Sequence, residues 1–379
     1  MDLSHEDSLR LNVLIKQDLR ALRIDEASMT VLALTAKGEA KVQLNPNCRD
    51  DVYLRRVREL FSTHALGSPG GYPVYLKRWT RMGQMRQESL DSLLVLGEPE
   101  AVIAVAHAPG LTEEVARRAW WVMPTAEVAR KMLECPNVAK SALGPELAHY
   151  LIEFLPFEEQ SLHVVDSVRL VLQPGLIDET VRQSLWKKGL RKSAFYVGFL
   201  FADTENLPEA SGDHAQLTQA VEQLQPLLES GNPLALQLLR VLDKAGQNYL
   251  QTVEKVIDKV ADQEVMGALV EALQDYFRKT WPVDYRVEYR RLPEEIDNAV
   301  AAMMQTSETE QHSLAMIAQV LQHTLHLNQK VKALLKLSLV GESLLNPIFS
   351  QTDAVGSVMR KRLQPVTDWL LDNIAVLKS

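Results

Sequence analysis

The sequence predicts a mainly α-helical protein: a small α+β module at the N-terminus, a HEAT-like stack of helical hairpins behind it, and a C-terminal helical region. Three observations carry that prediction. Residues 20–45 show apolar alternation and β-branched clusters. From about residue 88 the apolar residues recur at helical spacing, in segments of about 10 to 14 residues cut by Gly and Pro. One stretch, "PGLTEEVARRAWW" at 109–121, returns without gaps as "PGLIDETVRQSLW" at 174–186.

The first stretch, "MDLSHEDSLRLNVLIKQDLR", mixes acids and bases through its apolar positions. It reads as a helix and lacks the unbroken apolar core of a signal peptide. Residues 20–45 are interrupted by "DEAS" and "AKGE", which suits three short strands in an antiparallel meander. After "NPNC", Val52, Leu54, Val57, Leu60 and Phe61 recur at helical spacing with arginines between them. That amphipathic helix should end before the Gly/Pro loop "GSPGGYPVYLKRWTRMGQ" at 67–84, and residues 1–87 form one module.

Residues 88–201 form the helical stack, punctuated by "GEPE", "APG", "MPT", "CPN", "LGPE", "LPFEE" and "QPG". In each copy of the repeat, Pro-Gly stops one helix and the Thr112 or Asp178 side chain caps the next. Glu113, Glu114 and Glu179 then sit at the positive end of the helix dipole. In the first copy Leu111, Val115, Ala119 and Val122 make an apolar face, while Glu113–Arg117 and Glu114–Arg118 pair at i,i+4 on the other side. Stacked α-hairpins need such faces.

Residues 202–216, "ADTENLPEASGDHAQ", are acidic, small and polar, and read as a linker or long loop at the main boundary. The C-terminal region, 217–379, then shows helical segments at 217–230, 233–260, 262–279, 293–305, 308–338 and 354–376. Pro226, Pro233, Pro282, Pro293, Pro347 and Pro365 are expected to interrupt or delimit them.

A chain of 379 residues with 46% hydrophobic content is long enough to bury a core without staples. Its only cysteines, Cys48 and Cys135, cannot frame a disulfide scaffold, which fits a reducing, cytoplasmic setting. The longest apolar run, "AFYVGFLFA", is about half of the roughly 18 residues of a spanning helix, so no membrane insertion is expected. Net charge is −8, unevenly spread. Residues 49–86 hold eight basic and three acidic residues, a surplus of +5 that leaves −13 for the rest. Such a region is either a solvated face or a surface for an anionic partner.

The glycines of residues 67–71 follow neither G-x-x-x-x-G-K-[ST] nor G-x-G-x-x-G, so a nucleotide cradle is not expected. Pro69 and Pro73 bracket Gly70 and Gly71 in a defined turn that either docks on the core or is offered to a partner. Tyr72, Tyr75 and Trp79 alternate with Lys77, Arg78 and Arg81, as aromatics and cations do on single-stranded nucleic-acid platforms; rings at such spacing more commonly pack inward. Trp79 is expected inward and the Pro-Gly-Gly tip outward. His312, His323 and His326 would share one face of a continuous helix, yet a single helix makes no zinc site. "ELAH" at 146–149 is a lone Glu-x-x-His without the second copy a di-iron bundle uses. No G-x-S-x-G or C-x-x-C occurs. Cys48, beside Arg49, is the one candidate reactive thiol, and no catalytic residue, metal or cofactor is expected.

Several of these stretches resemble the DsrS family: "ALTAKGEAKVQLNPNCRDDVYLRRVREL", "HALGSPGGYPVYLKRWTRMGQ", "LGEPEAVIAV", "APGLTEEVARRAWWVMPT", "YLIEFLPFEE", "VRLVLQPGLIDE" and "YVGFL". The resemblance covers roughly the first 200 residues, and the helical remainder only loosely. It implies a cytoplasmic accessory protein of dissimilatory sulfur oxidation, without assigned catalysis, acting on other proteins of that pathway as scaffold or regulator. The residues offered for partner binding are Pro69, Gly70, Gly71, Tyr72, Tyr75, Lys77, Arg78 and Arg81. The alternatives are a nucleic-acid-binding, post-transcriptional regulator using residues 49–86, and a sulfur carrier or transfer protein working through Cys48.

Overall fold

Alternation in the first fifty residues produces strands because one face of each can be buried and the other left wet. β1 (Leu19–Asp25), β2 (Thr30–Thr35) and β3 (Gly38–Gln43) form an antiparallel sheet in the order β1-β2-β3. Thr35 stands opposite Gly38 across the two-residue turn Ala36-Lys37, and Gly38 takes the positive φ of +114° that this turn requires. This computed structural model describes residues 3–67, 87–283, 285–305, 312–350 and 355–379, with the backbone alone at 87–89 and 312–314.

Two helices complete the module. α1 (His5–Ile15) is capped by Ser4, whose side chain accepts the Asp7 N–H. α2 (Asp50–Leu66) carries the expected stripe, with Leu54, Val57 and Phe61 buried against Leu11, Leu22 and Val31. It stops at Gly67 in a left-handed C-cap, φ +70°, whose N–H reaches the Thr63 carbonyl. One polar knot sits inside this apolar cluster. The Asp7 carboxylate, fully buried, accepts the Tyr53 hydroxyl and, at 2.7 Å, the Asn45 N–H.

The chain packs as two compact units, Met1–Pro156 with Gln173–Ile177, and Phe157–Leu172 with Asp178–Ser379. Beyond the sheet module, the first unit contains α3 (Gln87–Leu93), α4 (Pro99–Ala106), α5 (Glu113–Val122), α6 (Ala126–Leu133), α7 (Pro136–Ala139) and α8 (Leu143–Phe154). α4 packs on α5 and α6, and α6 on α8, through small apolar residues such as Ala104, Ala116, Ala129 and Ala148. Thr112 and Thr125 cap α5 and α6 by accepting the N–H groups of Val115 and Val128.

The second unit contains α9 (Ser161–Val171), α10 (Glu179–Lys188), α11 (Ala194–Ala202), α12 (Leu217–Glu229), α13 (Pro233–Leu242), α14 (Lys244–Asp258) and α15 (Gln263–Arg278). It continues through α16 (Pro293–Gln305), α17 (His312–His323), α18 (Asn328–Ser338), α19 (Asn346–Phe349) and α20 (Gly356–Lys378). Its centre is α11, the run "AFYVGFLFA", which α9, α10, α14 and α15 surround. A helix apolar all round has to be enclosed in this way. The architecture is therefore mainly α, with a small N-terminal β-meander.

The repeat keeps its local geometry in both copies. Gly110 and Gly175 have φ of +79° and +83°, and the Thr112 and Asp178 side chains accept the Val115 and Val181 N–H groups. Both expected i,i+4 pairs form, Arg117 to Glu113 at 2.8 Å and Arg118 to Glu114. Leu111, Val115, Ala119 and Val122 are all buried.

Four features depart from the sequence expectation. The boundary between packing units falls near residues 156–178, inside the region 88–201 expected as one stack, and the expected linker 202–216 lies within the second unit. The segment 233–260 is two helices, because Asp243 both ends α13 and caps α14 by accepting the Gly246 N–H at 2.7 Å. The segment 308–338 breaks at Thr324, with φ −131° and ψ 53° and its hydroxyl turned back onto the Val320 carbonyl. Pro226 and Pro365 sit inside α12 and α20 without ending them, flanked by the buried Leu224 and Leu227 and by Leu363 and Val366.

Candidate functional site

The eight residues expected to bind a partner, Pro69, Gly70, Gly71, Tyr72, Tyr75, Lys77, Arg78 and Arg81, lie outside the described residues, as does Trp79. The helix that leads to them is described. Of the basic surplus at 49–86, four arginines lie on or beside α2, and each has a carboxylate partner. Arg49 pairs with Asp51 at 3.0 Å, Arg55 and Arg56 flank Glu59 at 3.8 and 3.9 Å, and Arg58 pairs with Glu26. Against Asp50, Asp51 and Glu59 these four leave +1, so most of the surplus rests on Lys77, Arg78, Arg81 and Arg86, outside the described residues.

Where α2 ends, the first unit opens a polar pocket of about 440 Å³, lined by Asp18, Arg20, His64, Asp91, Glu114 and Arg118 among others. Four elements meet there: the C-terminal turn of α2, the start of β1, the end of α3 and the first turns of α5. Arg118, only 14% exposed, is held between Asp91 at 3.2 Å and Glu114. Arg20 reaches Asp18 at 3.5 Å and Glu114 at 3.9 Å. The ring of alternating charge neutralises itself, which leaves a hydrated, polar surface in place of a field directed at one ionic substrate. The helix repeat places two of its members, since the i,i+4 pairing on α5 sets Arg118 over Glu114.

A second pocket, about 560 Å³, belongs to the second unit and is formed by the segment read as a linker. That segment is an ordered strap. Arg182 of α10 holds Asp203 at 2.9 Å; Arg240 of α13 holds Thr204 at 2.8 Å and Glu205; and Lys255 of α14 holds Glu209. The Ser211 N–H donates to Asn248 Oδ1 at 2.8 Å, and Asp213 accepts the Lys244 N–H at 2.7 Å. Asp243, at the pocket wall, has its carboxyl pushed above the usual range by burial, with Glu205 and Asp213 adding to the effect. Beneath the strap, the Arg240 guanidinium lies 4.2 Å from the Tyr276 ring centroid, and Tyr276 stacks on Tyr249 at 3.8 Å. The acids are visible in the sequence; their cationic partners, 21 to 46 residues away, are not.

Cys48 is half-buried on the module's apolar cluster, and its Sγ lies 3.7 Å from the Arg49 carbonyl. The Arg49 guanidinium, the expected source of thiol acidity, turns to Asp51. Cys135 contacts the Leu111 carbonyl at 3.6 Å. The break at Thr324 removes His326 from the helix of His323, whose Nδ1 meets the Gln319 carbonyl at 2.8 Å. His312 lies among the residues described by backbone alone. In "ELAH", Glu146 accepts the Trp120 indole N–H at 2.9 Å, and His149 faces Glu153 at 3.2 Å. Among the described residues no group of His, Cys, Asp and Glu is arranged to hold a metal ion, and no helix is long and apolar enough to cross a membrane.

No protein-family model matches this chain, and no curated protein and no solved structure matches it.

Proposed function

We propose that the protein is an accessory factor of dissimilatory sulfur oxidation in the cytoplasm, working as a scaffold or regulator through contacts with other proteins of that pathway. The observation that carries the pathway is the resemblance of the seven quoted stretches, from "ALTAKGEAKVQLNPNCRDDVYLRRVREL" to "YVGFL", to the DsrS family. The contact reading draws support from how the charged side chains of both pockets are used. Arg20, Arg118, Arg182 and Arg240 are each committed to carboxylates of the same unit, so their electrostatic work is holding the fold. The α2 arginines are committed likewise, which weighs against α2 as a phosphate-binding face.

The test is affinity capture of the tagged full-length chain from a sulfur-oxidising cell, at native salt, with mass-spectrometric identification. Components of the sulfur-oxidation machinery should be enriched over a mock capture. Recovery of none of them, with the bait folded and abundant, overturns the reading.

A further inference from the structure

The sheet of the N-terminal module has two edges, and they are treated differently. At β1 the Leu22 N–H donates to the Leu94 carbonyl at 2.8 Å, so the chain after α3 covers that edge. At β3 the pairing with β2 fixes which backbone groups point away. Leu44 N–H bonds to the Met29 carbonyl, and the turn closes with Thr35 opposite Gly38. Even-numbered residues of β3 therefore face β2, and the N–H and C=O groups of Glu39, Lys41 and Gln43 face outward. Among the described residues nothing pairs with those outward groups. The Lys41 side chain, exposed, is in no ion pair. Glu39, also exposed, accepts the Trp121 indole N–H through Oε1 at 2.8 Å, and its carboxylate keeps its charge free for a cation.

We propose that β3 pairs with β3 of a second copy of this chain, antiparallel about a two-fold axis through Ala40, to make a continuous six-stranded sheet. The register follows from charge. Outward-facing residues have to meet outward-facing residues, which leaves four alignments. A two-fold axis at Lys41 sets Lys41 against its own copy, and one at Glu39 sets Glu39 against its own copy; both place like charges directly opposite. An axis at Val42 pairs Lys41 with the neutral Gln43. Only the axis at Ala40 sets Glu39 against Lys41 in both directions, with each such pair exchanging two backbone hydrogen bonds. It also places two alanines at the closest approach, where a small side chain is needed. A lone edge lysine usually discourages strand addition; a lysine with a glutamate two residues before it accepts only a copy of itself in this register. The contact is isologous, so it closes at two chains and cannot propagate.

Sedimentation velocity over a concentration series tests this, with circular dichroism and thermal unfolding as checks of folding. The wild-type chain should show a monomer–dimer equilibrium. Lys41→Glu, which turns both ion pairs into repulsions, should weaken association about thirtyfold. Lys41→Gln should fall between the two. The double exchange Glu39→Lys/Lys41→Glu rebuilds both pairs with the signs reversed and should return the dissociation constant to within about threefold of wild type. A wild-type chain that stays monomeric at every concentration overturns the proposal. So does a dimer indifferent to Lys41→Glu, or a folded double exchange that fails to recover association.

Discussion

The two packing units hold their helices together by different means. In the first unit, helices meet through small apolar residues, and the polar side chains work locally as caps and i,i+4 pairs; its one deep polar knot joins Asp7, Tyr53 and Asn45. In the second, buried polar side chains reach across the fold to backbone carbonyls. Gln247 donates to Val241 O and Leu377 O, Asn232 to Met316 O, Gln237 to Tyr276 O, and Lys330 to Val376 O and Ser379 O. Local devices fix where helices begin and end, whereas distant braces fix which helices are neighbours. The second unit, with more helices to arrange, relies on the braces.

The largest effects should come where both units use one device, a glycine that lets a helix start lie against the preceding backbone. A Cβ on Gly144 would stand 2.2 Å from the Ala139 carbonyl oxygen, and one on Gly246 would stand 2.1 Å from the Arg240 carbonyl oxygen. Backbone cannot rotate away as a side-chain end can, so Gly144→Ala and Gly246→Ala should each cost about 3 kcal/mol in chemical denaturation. Gly267, inside α15, has nothing within 4 Å of a Cβ and no positive φ. There the same exchange should stabilise by about 0.5–1 kcal/mol through helix propensity. Equal costs at all three glycines would mean that the close approaches at Gly144 and Gly246 carry no special weight.

Next in size are the polar ties, one from each unit. Asp7→Ala strands the Tyr53 hydroxyl and the Asn45 N–H in an apolar cluster and should cost about 3 kcal/mol. Burial already raises the Tyr53 pKa, with the Asp7 hydrogen bond the next largest cause, so removing Asp7 should also lower the phenol titration, read by absorbance. Lys330→Met keeps the buried stem but loses the hydrogen bonds to Val376 O, at 2.8 Å, and Ser379 O, at 2.6 Å. It should cost about 2 kcal/mol, less than Asp7→Ala, because the freed carbonyls lie at the end of α20, where water reaches them, and because burial already lowers the Lys330 pKa. A Lys330→Met penalty below about 0.5 kcal/mol would sink the brace as a stabilising element.

These contrasts explain what the sequence makes legible. Everything in the first unit that follows a local rule is readable: the meander from its alternation, α2 from its stripe, both copies of the repeat from Pro-Gly, cap and i,i+4 pair. The strap at 203–216 is misread because acidic, small and polar composition describes a linker equally well; what orders it are Arg182, Arg240 and Lys255, remote in sequence. The breaks at Asp243 and Thr324 are missed for a related reason. Each interrupts an apolar period that continues in phase, and the cue is one capping or back-bonding side chain. The expected partner-binding residues, centred on the Pro-Gly-Gly tip, lie outside the described residues, and of the candidate site the sequence supplied the α5 charges but not their meeting with Arg20 and Asp91.

The smallest effect concerns a single brace that titrates. His214 accepts the Gln216 N–H on Nδ1 at 3.1 Å and meets the Ser379 carbonyl with Nε2 at 2.7 Å, an arrangement that uses both ring nitrogens of the neutral imidazole. A proton added at Nδ1 would oppose the Gln216 N–H. Burial lowers the His214 pKa below its ordinary 6.5 and the Lys330 ammonium acts in the same direction, while the hydrogen bond to Ser379 opposes them. The unfolded chain therefore binds this proton first. The contribution is fully present above pH 6.5 and is lost as pH falls through the depressed folded value. His214→Asn keeps a donor and cannot titrate, so its melting temperature should fall less than that of the wild type between about pH 7 and about pH 5, by about 1 °C given solvent screening and the size of the chain. The first unit has no counterpart to this brace, so proteolysis or hydrogen exchange at the lower pH should open the end of α20 while leaving the Asp7 knot closed. Identical pH profiles for the two proteins would remove His214 from the account and leave Lys330 as the tie that holds that helix end.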